Sequence, residues 1–238
     1  MSLPNLSEEA SFTKTDLPCG KKIGVKPWKV KEERELLFAI DGQKDTAAGR
    51  HEILKMMRKC VDNVSMFDSL SDTSYVYLII QLRKLSKGSK IEYSYTCTNP
   101  KCKFQLSDDV DLNKDIVIKK FTCGVCKIHD NLIFSTKEIP FTELEHLKAT
   151  YEKTVEYNYH YVLKSIDSFS FKGEAYTEFT EQELIDALDT MDSNSFETLT
   201  NFVLESISNI SIKKELKCKR CSTEMEVPFG DLYYFLAL

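Results

Sequence analysis

The sequence predicts an α+β protein that is mainly helical and carries a small zinc-ribbon-like β subdomain. Three observations predict it. Apolar residues recur with the helical i, i+3, i+4 period before residue 88 and again after Pro140. The pattern switches to period two from Lys90. Three close cysteine pairs, Cys97-x4-Cys102, Cys123-x2-Cys126 and Cys218-x2-Cys221, fall between or beside the short strands expected there.

The elements follow in order. Residues 1–18 read as a polar N-terminal arm. Residues 19–89 read as one strand plus three helices. The strand covers residues 21–29 with Ile23, Val25 and Trp28 as its apolar residues. The first helix, about 30–40, places Leu36, Leu37 and Ile40 on one face and ends at Asp41-Gly42. The second, about 47–64, aligns Ile53, Leu54, Met57, Cys60, Val61 and Val64, which makes Cys60 a core thiol rather than a ligand. The third, about 72–86, aligns Tyr75, Leu78, Ile79, Leu82 and Leu85, with Gly88 as its C-cap.

Residues 90–136 form the β-rich cysteine-knuckle region. Strands are expected near 90–97, 104–106, 116–121 and 131–135, with turns at Thr98-Asn99-Pro100 and Cys123-Gly124-Val125-Cys126. Residues 137–209 read as helical. A long amphipathic stretch spans about 141–166, and a hairpin turns at Lys172-Gly173. A capping box at Thr180-Glu181-Gln182-Glu183 opens one helix, and another covers about 194–206. Residues 210–238 supply a last strand, the C-terminal cysteine knuckle and an aromatic tail at 229–238.

Size and charge narrow the function. A chain of 238 residues can bury a core without help from metal, so a metal would pin one local region. The net charge of −5 disfavours general nucleic-acid binding, and Lys213, Lys214, Lys217, Lys219 and Arg220 read as the solvated rim of a knuckle. Residues 1–18 lack the apolar stretch of a signal peptide, and no run approaches the about 18 apolar residues of a membrane span. A reducing cytosol is therefore expected, with the eight cysteines as thiols or metal thiolates.

Two thiolates on a tight turn can reach one ion, and two such turns complete a tetrahedron of sulfurs. The spacing leaves two pairings open. Cys97, Cys102, Cys123 and Cys126 would make a local ribbon; Cys97, Cys102, Cys218 and Cys221 would clasp the middle of the chain to its end. In either case one pair is left over, and His129 lies three residues past Cys126 as a further donor. Four thiolates leave no open position for water, so the expected zinc is structural. A redox reading of Cys123-Gly124-Val125-Cys126 lacks a preceding βαβ pattern.

Catalytic chemistry is otherwise sparse. The chain has no GxGxxG, P-loop, HExxH or GxSxG, and His51, His129, His146 and His160 are scattered. No catalytic residue is assigned, and the chain is read as a non-enzyme. Asp108, Asp109 and Asp111 mark a solvated strand end, while Tyr151, Tyr157, Tyr159 and Tyr161 read as packing or interface aromatics.

The order of these motifs resembles a known family. Leu17-Pro18-Cys19-Gly20-Lys21-Lys22-Ile23-Gly24-Val25-Lys26-Pro27-Trp28 runs into Lys29-Val30-Lys31-Glu32-Glu33-Arg34-Glu35-Leu36-Leu37. This is similar to the N-terminus of the baseplate hub assembly proteins of T-even-like, contractile-tailed bacteriophages. Gln81-Leu82-Arg83-Lys84-Leu85-Ser86 resembles a helix of that family. So do Cys97 to Cys102 followed by Val110-Asp111-Leu112, and the last cysteine pair followed by aromatics at 232–235. Cys19 and the pair Cys123/Cys126 depart from the pattern.

The resemblance spans about residues 17–238. It implies a late, non-enzymatic factor, scaffold or chaperone for building the central hub of the baseplate. Other hub or tape-measure proteins are its expected partners, with no membrane and no nucleic acid. The implied location is the host cytoplasm during assembly, or the tail baseplate of the virion. Because the first and last cysteine pairs are those that recur, the resemblance implies the clasp set of ligands. The alternative is a zinc-ribbon regulator that binds nucleic acid.

Overall fold

The computed structural model describes residues 10–43, 47–121, 124–151 and 153–226. Its contacts divide the chain into unit 1, which gathers residues 1–67, 76–117 and 210–238, and unit 2, which gathers 68–75 and 118–209.

Unit 1 opens with β1 (Thr13–Asp16) and β2 (Lys22–Val25), an antiparallel pair. Ile23 and Val25 of β2 are fully buried, and Gly24 between them meets Asp62, which accepts a 2.8 Å hydrogen bond from the Gly24 amide. The contact is too close for a side chain: a Cβ on Gly24 would stand 2.3 Å from the Asp62 carboxylate. Helices α1 (Val30–Gln43), α2 (Ala47–Lys59), α3 (Val64–Asp68) and α4 (Asp72–Lys87) follow. Ile53, Met56, Met57 and Cys60 turn inward from α2 and the residue after it, and burial pushes the Cys60 thiol up to about 11. Leu78, Ile79, Ile80 and Leu82 make α4 the most buried helix stretch of the unit.

Two hairpins end unit 1. β3 (Lys90–Thr96) pairs along its whole length with β4 (Gln105–Asp111), and β11 (Glu215–Lys217) pairs with β12 (Glu224–Glu226). β5 (Ile116–Lys119) pairs with β10 (Asn209–Ile212). Ile80, Ile91, Val110, Leu112 and Ile212 form one buried cluster.

Unit 2 is built on an antiparallel sheet, β6 (Val125–His129), β7 (Leu132–Thr136), β8 (Ile166–Phe171) and β9 (Glu174–Tyr176), in sequential order. The β8–β9 turn has positive φ at both Lys172 (52°) and Gly173 (88°), as a two-residue type I′ hairpin needs. Helices α5 (Phe141–Thr150), α6 (Thr154–Ser165), α7 (Glu181–Leu188) and α8 (Ser193–Ser206) supply the rest of the core. Thr180 and Glu183 form a reciprocal capping box on α7, and Asp192 caps α8 through the Ser195 amide.

The expectation of a mainly helical protein is corrected. Among the described residues, twelve strands in five sheets stand beside eight helices, and β structure reaches well beyond residues 90–136. Outside residues 90–136 the strands are three to six residues long, and those the sequence does not announce, such as Thr13–Asp16 and Glu224–Glu226, are mostly polar and too short to show a period. Local boundaries shift as well. The stretch expected as one helix over 47–64 ends at Lys59, because Val61 makes a β-bridge to Val25. The stretch expected over 141–166 breaks at Tyr151, which turns extended (φ −115°, ψ 105°) and stacks on His160 at 4.0 Å. The aromatic tail at 229–238 lies outside the described residues.

Candidate metal centre

Each of two turns in unit 1 presents a pair of sulfurs. In the first, Cys97 closes the β3–β4 ladder by donating its amide to the Phe104 carbonyl (2.9 Å). Asn99 then organises the turn: its carbonyl accepts from the Cys102 and Lys103 amides, and its side chain accepts from the Lys101 amide. Lys103 takes the left-handed conformation (φ 47°) that brings the chain back into β4. In the second turn, Cys218 donates to the Thr223 carbonyl (2.9 Å) and accepts from the Ser222 amide (2.8 Å), with Ser222 left-handed (φ 59°). Both turns are knuckles at a hairpin end, and both point cysteines into one small cluster with Leu106 and Met225.

The four sulfurs of Cys97, Cys102, Cys218 and Cys221 all lie within 4.8 Å of one another. Cys97 and Cys221 are 3.5 Å apart, and Cys102 and Cys218 are 3.9 Å apart. A tetrahedral zinc with bonds of about 2.3 Å sets sulfur–sulfur edges near 3.8 Å. A disulfide needs about 2.05 Å, so these four are separate thiols at metal-binding distance. Cys97 and Cys218 are buried, whereas Cys102 and Cys221 are partly open.

The electrostatics fit a cation. Burial, followed by the neighbouring sulfurs, pushes the Cys97 thiol up to about 12. The Thr223 hydroxyl, 3.1 Å from Cys221, and then its amide lower the Cys221 thiol to about 6. A divalent cation among the four sulfurs would stabilise their thiolates. Lys101, Lys103, Lys217, Lys219 and Arg220 flank the cysteines in sequence, and Arg220 lies 6.0 Å over the Phe104 ring. Positive charge at these positions would partly offset the net −2 of a divalent cation held by four thiolates.

The other candidate ligands that the structure describes, Cys126 and His129, are not among these four. Cys126 is not on a knuckle: it lies in β6, is 4% exposed, and packs in the hydrophobic core of unit 2. Cys123 lies outside the described residues. His129 sits at the end of β6 and accepts from the Asn131 amide through Nδ1. Among the described residues, the four-cysteine set is the group of possible ligands that converges. Asp108 is held below the usual carboxylate range by Lys214, and the tyrosines near His160 pack as an aromatic cluster within unit 2. Sequence reasoning missed Thr223, which a hydroxyl two residues past Cys221 could have signalled.

Fold and site together define an α+β protein whose two cysteine knuckles converge as a closed tetrathiol cluster. The family model described as "T4 bacteriophage base plate protein" matches residues 9–237, and the chain belongs to that family. Membership implies contact with other baseplate or tail proteins. No curated protein and no solved structure matches the chain. No helix among the described residues is long and apolar enough to cross a membrane.

Proposed function

We propose that this baseplate-family protein is a non-enzymatic assembly factor for the central hub, a scaffold or chaperone stabilised by one structural zinc. The observation that carries the zinc is the convergence of Cys97, Cys102, Cys218 and Cys221 at tetrahedral spacing. Bound there, the ion would tie the β3–β4 hairpin to the β11–β12 hairpin within unit 1, closing a chain loop of more than one hundred residues that includes most of unit 2. Zinc held by four thiolates has no site for water, which fits a structural part rather than a hydrolase. The family supports a place in the tail, and the acidic helical surface suits protein contact.

Mass spectrometry of purified virions beside unfinished tails tests the role. An assembly factor is abundant in infected cells bound to hub or tape-measure proteins and absent or scarce in virions. Recovery of no tail protein with the tagged chain would sink the proposal.

One observation favours a second reading, a knuckle that contacts nucleic acid. Phe104 is 39% exposed beside Arg220, with Lys101 and Lys103 close in sequence. Salt-dependent retardation of DNA or RNA, lost on replacing Lys101, Lys103 and Lys219 by Ala, would establish it.

A further inference from the structure

The two units differ sharply in charge. Unit 1 holds 24 Lys and Arg against 19 Asp and Glu, a net +5; unit 2 holds 8 against 18, a net −10. The acid is concentrated in β9, α7 and α8. Residues 173–212 contain nine Asp and Glu and no Lys, Arg or His. Glu181 is paired with Lys164 at 2.7 Å, whereas Glu178, Asp186, Asp189 and Asp192 stand at exposed positions.

Inside this acidic stretch lies an apolar recess of about 120 Å3, between α7 and the sheet. Phe134 from β7, Phe169 and Phe171 from β8, and Leu184, Leu188 and Met191 line it. An engineered apolar cavity of about 150 Å3 holds a benzene molecule, so this recess has room for one side chain of Leu or Met size. Nearby, β9 is an edge of the sheet with all three residues exposed. Lys172 lies 5.0 Å over the ring of Phe171, one of the lining residues.

We propose that the α7 recess of unit 2 is a docking site for a basic segment of a partner protein, which inserts one apolar side chain while its Lys or Arg residues face Glu178, Asp186 and Asp189. The apolar lining supplies the anchor, and the net −10 of unit 2 selects the sign of the flanking charge. The excess negative charge of unit 2 would repel an acidic segment. The assignment deepens the assembly-factor reading by naming the surface and partner chemistry, and it does not depend on the zinc.

The test uses the full, zinc-loaded chain and three synthetic twelve-residue peptides. One has a central Leu flanked by lysines; one has the Leu replaced by Gly; one keeps the Leu with the lysines replaced by glutamates. Methyl NMR follows Leu184, Leu188 and Met191 during titration. The first peptide is expected to shift these methyls and to bind about tenfold or more tighter than either control. A187L, which fills the recess, should weaken it about tenfold with peptide charge unchanged, and D186K/D189K, at exposed positions, should do the same without touching the core. Equal binding of the Leu and Gly peptides, or wild-type affinity in folded D186K/D189K, would overturn the assignment. So would methyl shifts that grow with protein concentration alone, since those would give the recess to a second copy. Co-purification with tail proteins that survives these changes would leave the assembly role standing and remove only this site.

Discussion

The sulfurs of Cys97 and Cys221 lie 3.5 Å apart although 124 residues separate them in the chain. Nothing local holds them there. Each belongs to its own hairpin knuckle, and the hairpins share a small buried cluster of Cys97, Leu106, Cys218 and Met225. A cluster that small is a weak lock, and a metal would be the main tie between the two hairpin ends.

Removing one knuckle should therefore remove the metal. C218S/C221S is expected to lose zinc, read as metal content after gel filtration. Zinc at one hundred times its dissociation constant should stabilise wild type by about 2.7 kcal/mol and the double variant not at all. C126S should keep full zinc, because Cys126 lies in the core of unit 2. Zinc lost from C126S and retained in C218S/C221S would restore the local ribbon.

Gly24 and Asp62 form a second fixed contact. G24A places a methyl 2.3 Å from the Asp62 carboxylate and is expected to cost about 1–3 kcal/mol in urea denaturation. Combining it with D62A should recover part of that loss, because the obstacle is then gone. Strictly additive costs would show that the clash is relieved elsewhere.

Asp62 also predicts an acid dependence. Lys14 at 2.5 Å, followed by the Gly24 amide, holds its carboxyl below the usual range. Folding thus favours the ionised form. The contribution is complete above the unfolded value of about 3.9 and is lost as pH falls through the folded value. D62N should lie below wild type at pH 7, with the gap narrowing under pH 4. A gap that is constant across pH would remove the ionic part of the argument.

At α7, T180A removes both the cap for the Glu183 amide and the hydroxyl that binds Glu183. It is expected to cost about 1 kcal/mol, read by denaturation, with amide exchange rising first in residues 181–184. Unchanged exchange there would mean that packing of Leu184 and Leu188 alone fixes the helix start.

Single elements were legible in residue patterns where a local device marks them, whereas the share of β structure was not, and both outcomes have physical causes. Thr180 and Glu183 announced their helix because a capping box is a local device. Lys172-Gly173 announced its turn because a type I′ turn restricts which residues fit. The break at Tyr151 was hidden, since no Gly or Pro marks it and a stacking contact with His160, nine residues on, accompanies it. Cys126 looked like half of a knuckle by spacing, yet alternation along β6 turns it into the core, where Phe134 pairs with it across the ladder. Spacing alone also left the ligand set open. Which pairs meet depends on two hairpins far apart in sequence, and no local pattern encodes that.

The most direct test of the central claim is X-ray absorption at the zinc edge on the purified full-length chain, with C218S/C221S beside it. Four sulfur neighbours at about 2.3 Å are expected in wild type, and no bound zinc in the double variant. Nitrogen or oxygen ligands in wild type, or an unchanged four-sulfur shell in the double variant, would contradict the claim.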